Sequence, residues 1–413
     1  MHRRSWLPED VRAHNRGLLL RLLAEQGPLS RREIAARTGL SIPTVASIVT
    51  DLSGEGYLTE SVPRVRSPRR GPRPAVVTLS REEYVFLGID IGIDEVRVGL
   101  TDLSGLVTHA TRAPFERGAS AQRVIDVAVA AADPIVKAAG RTLVAVGVGV
   151  PGPVDAGRRR CVLSLALGWR DVDIADRLEQ AFGTPAVVDY NVRAMAAAEA
   201  LHGLGQRAEN LLYVHVGEGV GFGFVVDGRP FRQGAHGVSE LGHHQVAADG
   251  PRCVCGSVGC LEVMLSEPYL RARVARAADH SPVLAQADRR YPAPLDALDA
   301  AAHAGCGRAS ALLAEFSEHL SMAIALNVNV FSPTRVALGG ILATAPKEVL
   351  RTVLASTQAK VCSVLRHQVV IEPSTLGQHV GLLGAATVAL DEVFYERGAV
   401  PAQAPSLSTA PGR

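Results

Sequence analysis

Three glycine-punctuated strand–turn–strand segments follow residue 80, and they restrict the fold of this 413-residue chain more than any other feature. They are GIDIGIDEVRVGLTD (88–102), VAVGVGVPGPVDAG (144–157) and LLYVHVGEGVGFGFVVDG (211–228). Ala-rich helical segments, including 193–203 and 309–328, alternate with them. This alternation predicts an α/β fold, in a chain long enough for two or three domains.

The first 80 residues carry a different pattern, which predicts three short helices. Leucines repeat at helical spacing between Asn15 and Gly27, giving one amphipathic helix. Ser30-Arg31-Arg32-Glu33 is a capping box for a second helix, which we expect to end at Gly39. Ser41 caps a third helix, whose apolar stripe consists of Val45, Ile48, Val49 and Leu52.

The polar side of the third helix suits the major groove of DNA. Pro43 is tolerated in its first turn, and small polar side chains point away from the apolar stripe. A short helix of this kind after a tight glycine turn is typical of a recognition helix. We therefore predict DNA contacts from Ser41, Pro43, Thr44 and Ser47. An ordinary three-helix bundle is the alternative.

The segment after this helix predicts a DNA-binding wing. GYLTE (56–60) and AVVTL (75–79) are strand-like, and SVPRVRSPRRGPRP (61–74) between them carries five arginines and no acidic residue. Arginine reads the narrow, negative minor groove of A·T-rich DNA. We therefore predict contacts from Arg69, Arg70 and Arg73. A solvated linker is the alternative.

The distribution of charge also favours a polyanionic partner, double-stranded DNA. Residues 1–80 hold thirteen arginines and seven acidic residues, a net charge of +6, whereas the whole chain has a formal net charge of +2. No apolar run approaches the ~18 residues of a membrane helix, and Arg21 interrupts the N-terminal leucine cluster. We expect a cytoplasmic protein without a membrane partner.

Three of the six cysteines lie within positions 253–260, which favours a metal site over disulfides. One imidazole and three thiolates form a closed tetrahedral set for a structural Zn²⁺, supplied by His243, Cys253, Cys255 and Cys260. Such a set leaves no position for a water ligand, which disfavours a zinc hydrolase. Three reduced core cysteines are the alternative interpretation, and His244 competes with His243 as the ligand.

These motifs resemble those of one protein family. ELGHHQVAADGPRCVCGSVGCLE (240–262) resembles the E-x-G-H and C-x-C-G-x-x-G-C-x-E motifs of the ROK family of sugar kinases and repressors. VALGGIL (336–342) and VGLLGAATVAL (380–390) extend the resemblance, which covers roughly residues 12–392. It implies a two-lobed actin-like ATPase fold, and its pattern favours His243 as the zinc ligand. Because free-standing kinases of the family lack the first 80 residues, this chain resembles the repressor branch.

The resemblance also implies domain boundaries and an assembly. We expect a winged helix-turn-helix domain at 1–80, a first lobe at 83–192 plus 376–398, a second lobe with the zinc loop at 193–375, and a disordered tail at 399–413. A homodimer or a dimer of dimers pairs two recognition helices and prefers an inverted-repeat operator.

The phosphate loops argue against kinase activity. Family kinases have D-x-G-G-T-K and G-T-G-x-G, where this chain has DIGIDE (90–95) and GEGVG (217–221). A carboxylate about 4 Å from a phosphate charge costs on the order of 1 kcal/mol in water and about 4 kcal/mol near a protein surface. Asp94, Glu95 and Glu218 therefore predict poor ATP binding. The alternatives are acids that point to solvent, and an ATP-dependent sugar kinase with an appended DNA-binding domain.

The resemblance implies a small-molecule effector site, for a sugar, at Asp189, Asn191, Glu240, His243 and Glu262. Asp189 stands at the general-base position of the kinases. Without a phosphate donor, we interpret it as an acceptor for a ligand hydroxyl, with a structural role as the alternative. Ala166 and Val188 replace two family asparagines, so we expect weak glucose binding. The sequence thus predicts a DNA-binding repressor of sugar or secondary metabolism genes with a degenerate kinase-like sensor.

Overall fold

The computed structural model describes residues 8–61, 75–232 and 239–396. A winged-helix domain is followed by two lobes, each built on a five-stranded sheet. The prediction of a winged helix-turn-helix joined to an actin-like α/β body is therefore confirmed. The predicted tail at 399–413 lies outside the described residues.

The N-terminal domain has three helices and a small sheet of order β1-β3-β2. The predicted capping box is confirmed, because the Glu33 N–H donates to Ser30 Oγ and the Ser30 N–H donates to the Glu33 carboxylate. The first helix begins earlier than its leucine pattern predicts. In chain order the elements are α1 (Pro8–Gln26), β1 (Leu29–Ser30), α2 (Arg31–Thr38), α3 (Ile42–Gly54), β2 (Leu58–Ser61) and β3 (Val76–Leu79).

The first lobe is a mixed sheet of order β10-β7-β4-β5-β6. β4 pairs in parallel with β7, and β7 with β10, so the carboxyl ends of β4 and β10 meet at one edge. The elements are β4 (Tyr84–Ile91), β5 (Glu95–Thr101), β6 (Val107–Pro114), α4 (Ala121–Ala139), β7 (Thr142–Val150), β8 (Arg160–Ser164), β9 (Trp169–Asp173), α5 (Ala175–Phe182) and β10 (Ala186–Tyr190).

Helix α6 (Asn191–His202) leads from the first lobe into the second, whose sheet has the order β13-β12-β11-β14-β15. The second-lobe elements are β11 (Asn210–Val216), β12 (Val220–Val226), β13 (Arg229–Pro230), α7 (Leu261–Leu265), α8 (Glu267–Arg276), α9 (Ala287–Arg290), α10 (Pro294–His303), α11 (Gly307–Phe331), β14 (Arg335–Gly340), α12 (Lys347–Lys360) and β15 (Val370–Pro373). Helix α13 (Val380–Ala389) then packs against α6 and against β4 and β7 of the first lobe.

The winged-helix domain shares a hydrophobic core with the first lobe and the C-terminal segment. The Tyr57 ring lies 4.5 Å from that of Tyr84 and 5.1 Å from that of Phe394, measured between centroids. On α1, a Cβ atom at Gly17 would lie 1.8 Å from the Tyr395 carbonyl oxygen, so only glycine permits this approach. The DNA-binding domain is thus packed directly on the element that follows α13.

Candidate DNA-binding, metal and effector sites

Helix α3 presents the polar surface that its sequence predicts. The apolar stripe is buried, while Ser41, Pro43 and Ser47 are exposed and Thr44 is half-buried. Ser41 Oγ caps the helix by accepting the Thr44 N–H at 3.2 Å. The sequence did not single out Ile42, which is 54% exposed at the first turn. The surface therefore combines small polar groups with one apolar side chain.

The predicted wing is described only at its base. β2 and β3 pair antiparallel, with Ser61 opposite Val76. Arg69, Arg70 and Arg73 lie outside the described residues. Their contacts with DNA therefore stay predictions.

The four predicted metal ligands lie together. The donor atoms of His243, Cys253, Cys255 and Cys260 are all within 4.8 Å of one another. Cys253 Sγ lies 3.5 Å from His243 Nδ1, and Cys255 Sγ lies 3.6 Å from Cys260 Sγ. Zinc bonds of about 2.0–2.3 Å in a tetrahedron place ligand atoms roughly 3.5–3.8 Å apart, so these separations fit the ion. His244, the rival ligand, is exposed and not part of the cluster.

Backbone bridges hold this cysteine loop in place. Gln245 pairs with Cys260 as an antiparallel bridge, and the Ala247 N–H donates to the Gly259 carbonyl at 3.1 Å. Gly259 has φ +63°, and a Cβ atom there would lie 1.7 Å from the Ala247 carbonyl oxygen. Cys260 directly precedes α7, so the loop also fixes the first turn of that helix.

That first turn carries Glu262, which lies beside the other predicted effector residues of the second lobe. Its carboxylate accepts the Val220 N–H at 3.3 Å. His243 Nε2, the ring nitrogen away from Cys253, lies 4.0 Å from the Glu240 carboxylate. Burial raises the pKa of Glu240; His243 counteracts this effect and Glu262 adds to it. The three side chains form a group of hydrogen-bonding atoms next to the metal loop, in which His243 and Glu262 are half-buried and Glu240 is exposed.

Tyr190 adjoins this group, although the sequence analysis did not select it. Its pKa is raised by burial first and then by the charges of Glu240 and Glu262. The strand alternation of β10 places Tyr190 on the opposite face of the sheet from Asp189. This alternation along β10 was the sequence signal that Tyr190 faces a different surface from Asp189.

Asp189 has a different environment from the second-lobe group. Its carboxylate pairs with Arg193 on α6 and with Arg158 Nη2 at 2.6 Å. Both arginine side chains are largely buried, so the charge of Asp189 is neutralised within the protein. Asn191 Oδ1 accepts the Val192 N–H at 2.8 Å at the start of α6. These partners fit the structural alternative for Asp189.

The two positions that replace family asparagines differ in exposure. Ala166 is exposed. Val188 is fully buried in the core of the first lobe. A ligand in the cleft therefore does not meet the Val188 side chain in this conformation.

Arginines accompany the acids of the altered phosphate loops. Arg97 Nη2 lies 2.6 Å from the Glu95 carboxylate, and Arg97 Nη1 lies 3.5 Å from Asp90. Burial raises the pKa of Asp90 to about 6, and Arg97 offsets only part of that effect. Asp94 and Glu218 share a different arginine, because Arg117 pairs with both of them. Each of these acids therefore pairs with a cation of the protein, although the side chains of Asp94 and Glu218 stay about half exposed.

Sequence comparison now decides the family. The ROK family pattern matches residues 86–392, and a winged helix-turn-helix DNA-binding pattern matches residues 13–59. The chain belongs to the ROK family. Its winged-helix match covers α2 and α3, and α3 carries the exposed polar surface.

Curated relatives of this ROK protein are transcriptional regulators. The xylose repressor of Bacillus subtilis (strain 168) is 26% identical over 385 residues, covering 92% of this chain and 96% of that protein. The transcriptional dual regulator NagC of Escherichia coli (strain K12) is 26% identical over 382 residues, covering 91% and 92%. The prediction of a DNA-binding regulator is therefore confirmed.

Solved structures agree on the fold. A ROK family transcriptional regulator, a homologue of E. coli MLC, superposes with a TM-score of 0.77 at 24% identity, covering 94% of this chain and 98% of that one. A ROK glucokinase from Streptomyces griseus superposes with a TM-score of 0.64 at 27% identity, covering 73% and 98%. No helix within residues 8–61, 75–232 and 239–396 is long and apolar enough to cross a membrane.

Proposed function

We propose that this ROK regulator is a repressor of sugar-metabolism genes, whose kinase-derived body senses a small molecule and no longer transfers phosphate. One observation carries the proposal: a winged-helix domain with an exposed polar surface on α3 is packed onto a kinase-type body whose phosphate-loop acids pair with Arg97 and Arg117. Relatives that match more than nine-tenths of the chain and are named xylose repressor and NagC support it.

We assign recognition of the DNA base sequence to α3 and positioning of the protein on the DNA to the wing. The hydroxyl groups of Ser41, Thr44 and Ser47 suit hydrogen bonds to base edges or phosphates, and exposed Ile42 suits the methyl group of thymine. Pro43 holds the first turn close to the DNA backbone. The wing adds minor-groove contacts, which we assign to Arg69, Arg70 and Arg73.

A structural Zn²⁺ is assigned to His243, Cys253, Cys255 and Cys260. Held there, the ion would cross-link the loop and supply no reaction, because these four residues would leave no position for a water ligand. Through His243 and through the start of α7, the metal loop would position Glu240 and Glu262 for the effector. A metal-ligating histidine commonly offers its second ring nitrogen to a partner of this kind.

The effector is assigned to the group of Glu240, His243 and Glu262, with Tyr190 beside it. Two carboxylates and an imidazole nitrogen suit adjacent hydroxyl groups, which is the chemistry of a sugar. Asp189 at the end of β10 and Asn191 at the start of α6 would support the effector site structurally, and Asp189 would not accept a reacting proton. The protein would act in the cytoplasm as a homodimer or dimer of dimers on an inverted repeat.

Operator release tests this function. Purified protein is titrated onto promoter fragments from its own genome, with a panel of sugars, phosphosugars and oligosaccharides. We expect one ligand class to weaken specific binding at least tenfold, and Glu240→Gln to abolish the response while leaving ligand-free DNA binding intact. Glu348→Gln, on the surface of α12, is the matched control. Release that Glu240→Gln leaves unchanged would show that the effector binds elsewhere.

A further inference from the structure

A cavity of ≈380 Å³ lies between the DNA-binding domain and the ROK body. Its walls come from α1, α6, the β12–β13 hairpin and the C-terminal segment, and its volume is within the range of small-molecule pockets. Among the described residues assigned above to the effector, Asp189 is the one that lines it. The cavity is therefore a different site from the group around Glu240.

One end of this cavity is rich in guanidinium groups. Arg158, Arg193 and Arg232 line it together with Asp189 and Glu392. Arg158 Nη1 lies 3.0 Å from Glu392, in addition to its pairing with Asp189. Three positive and two negative groups leave a local charge of +1 at this end, whereas the rest of the lining carries −1, from Arg21 and Arg229 against Glu25, Asp391 and Glu396. An additional anion would complete the pairing of this end.

Arg232 is the guanidinium with fewest partners at this end. Its Nη2 donates to the Asp155 carbonyl oxygen at 3.1 Å, and within the described residues it makes no ion pair. Burial lowers the pKa of Arg232, the positive charges of Arg193 and Arg158 lower it further, and the carboxylates of Asp189 and Glu392 oppose them in part. Those two carboxylates are already paired with other arginines, so an added anion would stabilise the charged form of half-buried Arg232.

Two buried polar groups in the same cavity also lack partners within the described residues. Thr387 is 4% exposed, and its Oγ1 has no hydrogen-bond partner there. Arg158 Nε is likewise unpaired. An unsatisfied buried polar group costs about 1–3 kcal/mol, so such groups usually mark a ligand or water position.

The backbone conformation of Arg158 is a separate indication that the position of its side chain matters. Arg158 has φ +56°, a left-handed conformation that is uncommon for residues other than glycine. Its N–H donates to the Asp155 carbonyl, and its own carbonyl accepts the Val188 N–H. The turn therefore aims a long cationic side chain into the cavity at a cost in backbone strain.

We propose that this cavity binds a small oxyanion, the carboxylate or phosphate group of a metabolite, on Arg158 and Arg232. Thr387 Oγ1 donates a further hydrogen bond to the same molecule. Part of the cavity wall belongs to the DNA-binding domain, because Arg21 and Glu25 of α1 also line the cavity.

Helix α1 is therefore placed to respond to the occupant. Arg21 Nη1 lies 3.1 Å from Asp391, and Arg21 Nη2 donates to the Gly228 carbonyl at 3.3 Å. A molecule in the cavity would act on these contacts and so on the orientation of the winged helix. This link to DNA rests on the proposed function, whereas binding of the oxyanion does not.

Thermal unfolding of the full-length protein tests the site, with inorganic phosphate and acetate as probes at constant ionic strength against chloride. We expect saturable stabilisation by at least one probe, and an apparent Kd raised at least tenfold in Arg232→Gln and in Arg158→Gln. Arg351→Gln, on exposed α12, should match the wild type. The probe that stabilises more strongly names the ligand class.

Two results would overturn the site: no stabilisation beyond chloride, or equal stabilisation of the wild type and Arg232→Gln. Operator binding by the wild type in oxyanion-free buffer separates the proposed oxyanion site from the proposed function as a DNA-binding regulator. Specific DNA binding without oxyanion binding would reject the cavity and leave the regulator. Oxyanion binding that requires Arg232, in a protein that binds no operator, would establish the cavity and reject the regulator.

Discussion

The carboxylates of Asp94 and Glu218, which belong to different lobes, share one guanidinium group. Arg117 Nη2 lies 2.9 Å from Asp94 Oδ2 and 3.5 Å from Glu218 Oε2. All three side chains are roughly half exposed, so each pair contributes only about 0–1 kcal/mol and does not lock the lobes. The relationship matters for recognition, because these acids occupy the positions where family kinases grip phosphate.

The charge of this region predicts that MgATP is excluded. Four carboxylates, from Asp90, Asp94, Glu95 and Glu218, stand against the guanidinium groups of Arg97 and Arg117, leaving a net charge of −2. We expect no MgATP-dependent rise in Tm and no phosphoryl transfer to a sugar panel. The combined change Asp94→Thr, Glu95→Lys and Glu218→Thr should produce measurable ATP binding, whereas Glu348→Lys should not. Robust sugar phosphorylation by the wild type would refute this account of the loops.

Loss of one metal ligand should lower both metal content and stability. We expect about one Zn²⁺ per chain after dialysis, measured by mass spectrometry of the metal. Cys255→Ser should lose most of it and unfold at a lower temperature, because metal ligation adds directly to folding free energy. Cys362→Ser, which changes an exposed cysteine outside the cluster, is the control. A metal-free wild type of undiminished stability would rule out the structural ion.

Substitutions in the wing and in α3 should impair DNA binding in different ways. Arg70→Ala with Arg73→Ala should weaken operator binding and make its salt dependence shallower by roughly one to two units, because minor-groove and phosphate charges are lost. Ser47→Ala should instead reduce discrimination between operator and random DNA more than total affinity. Titrations at several salt concentrations measure both effects. An unchanged salt slope in the arginine variant would reject the wing contact.

Asp90 should make stability depend on pH. Its pKa is raised to about 6 by burial, so between pH ~4 and ~6 the folded state holds more protons than the unfolded state. Stability therefore falls as pH rises through this window. Asp90→Asn removes the titration, and we expect the variant to be more stable than the wild type at pH 7 by about 1–3 kcal/mol, but not at pH 4. Urea unfolding across this range measures it, with surface Asp133→Asn as the control; a pH-independent difference would contradict it.

Local signals predicted local structure well. The capping box at Ser30 and Glu33 and the buried stripe of α3 depend on neighbours within one or two turns, and both are confirmed. The start of α1 was predicted too late, because its first turns are solvated and Val11 is 44% exposed there, so no apolar period marks them. The cluster of possible metal ligands was predictable because all four residues lie close in sequence.

Features that depend on tertiary contacts could not be predicted from the sequence. Arg158 lies 31 positions from Asp189, and Arg117 lies 23 positions from Asp94, and no spacing rule links them. The acids of the phosphate loops were visible in sequence, but the arginines that pair with them were not. The cavity under α1 depends on how the winged helix packs on the C-terminal segment, which only the folded chain defines.

Genomic footprinting of the purified wild-type protein tests the central claim most directly. The account predicts a small set of protected inverted repeats with half-sites about one or two helical turns apart, next to sugar-metabolism genes, and loss of that protection in Ser47→Ala with Thr44→Ala. Binding without preferred sites, or protection that these two substitutions leave unchanged, would contradict the assignment of α3 as the recognition helix of a repressor.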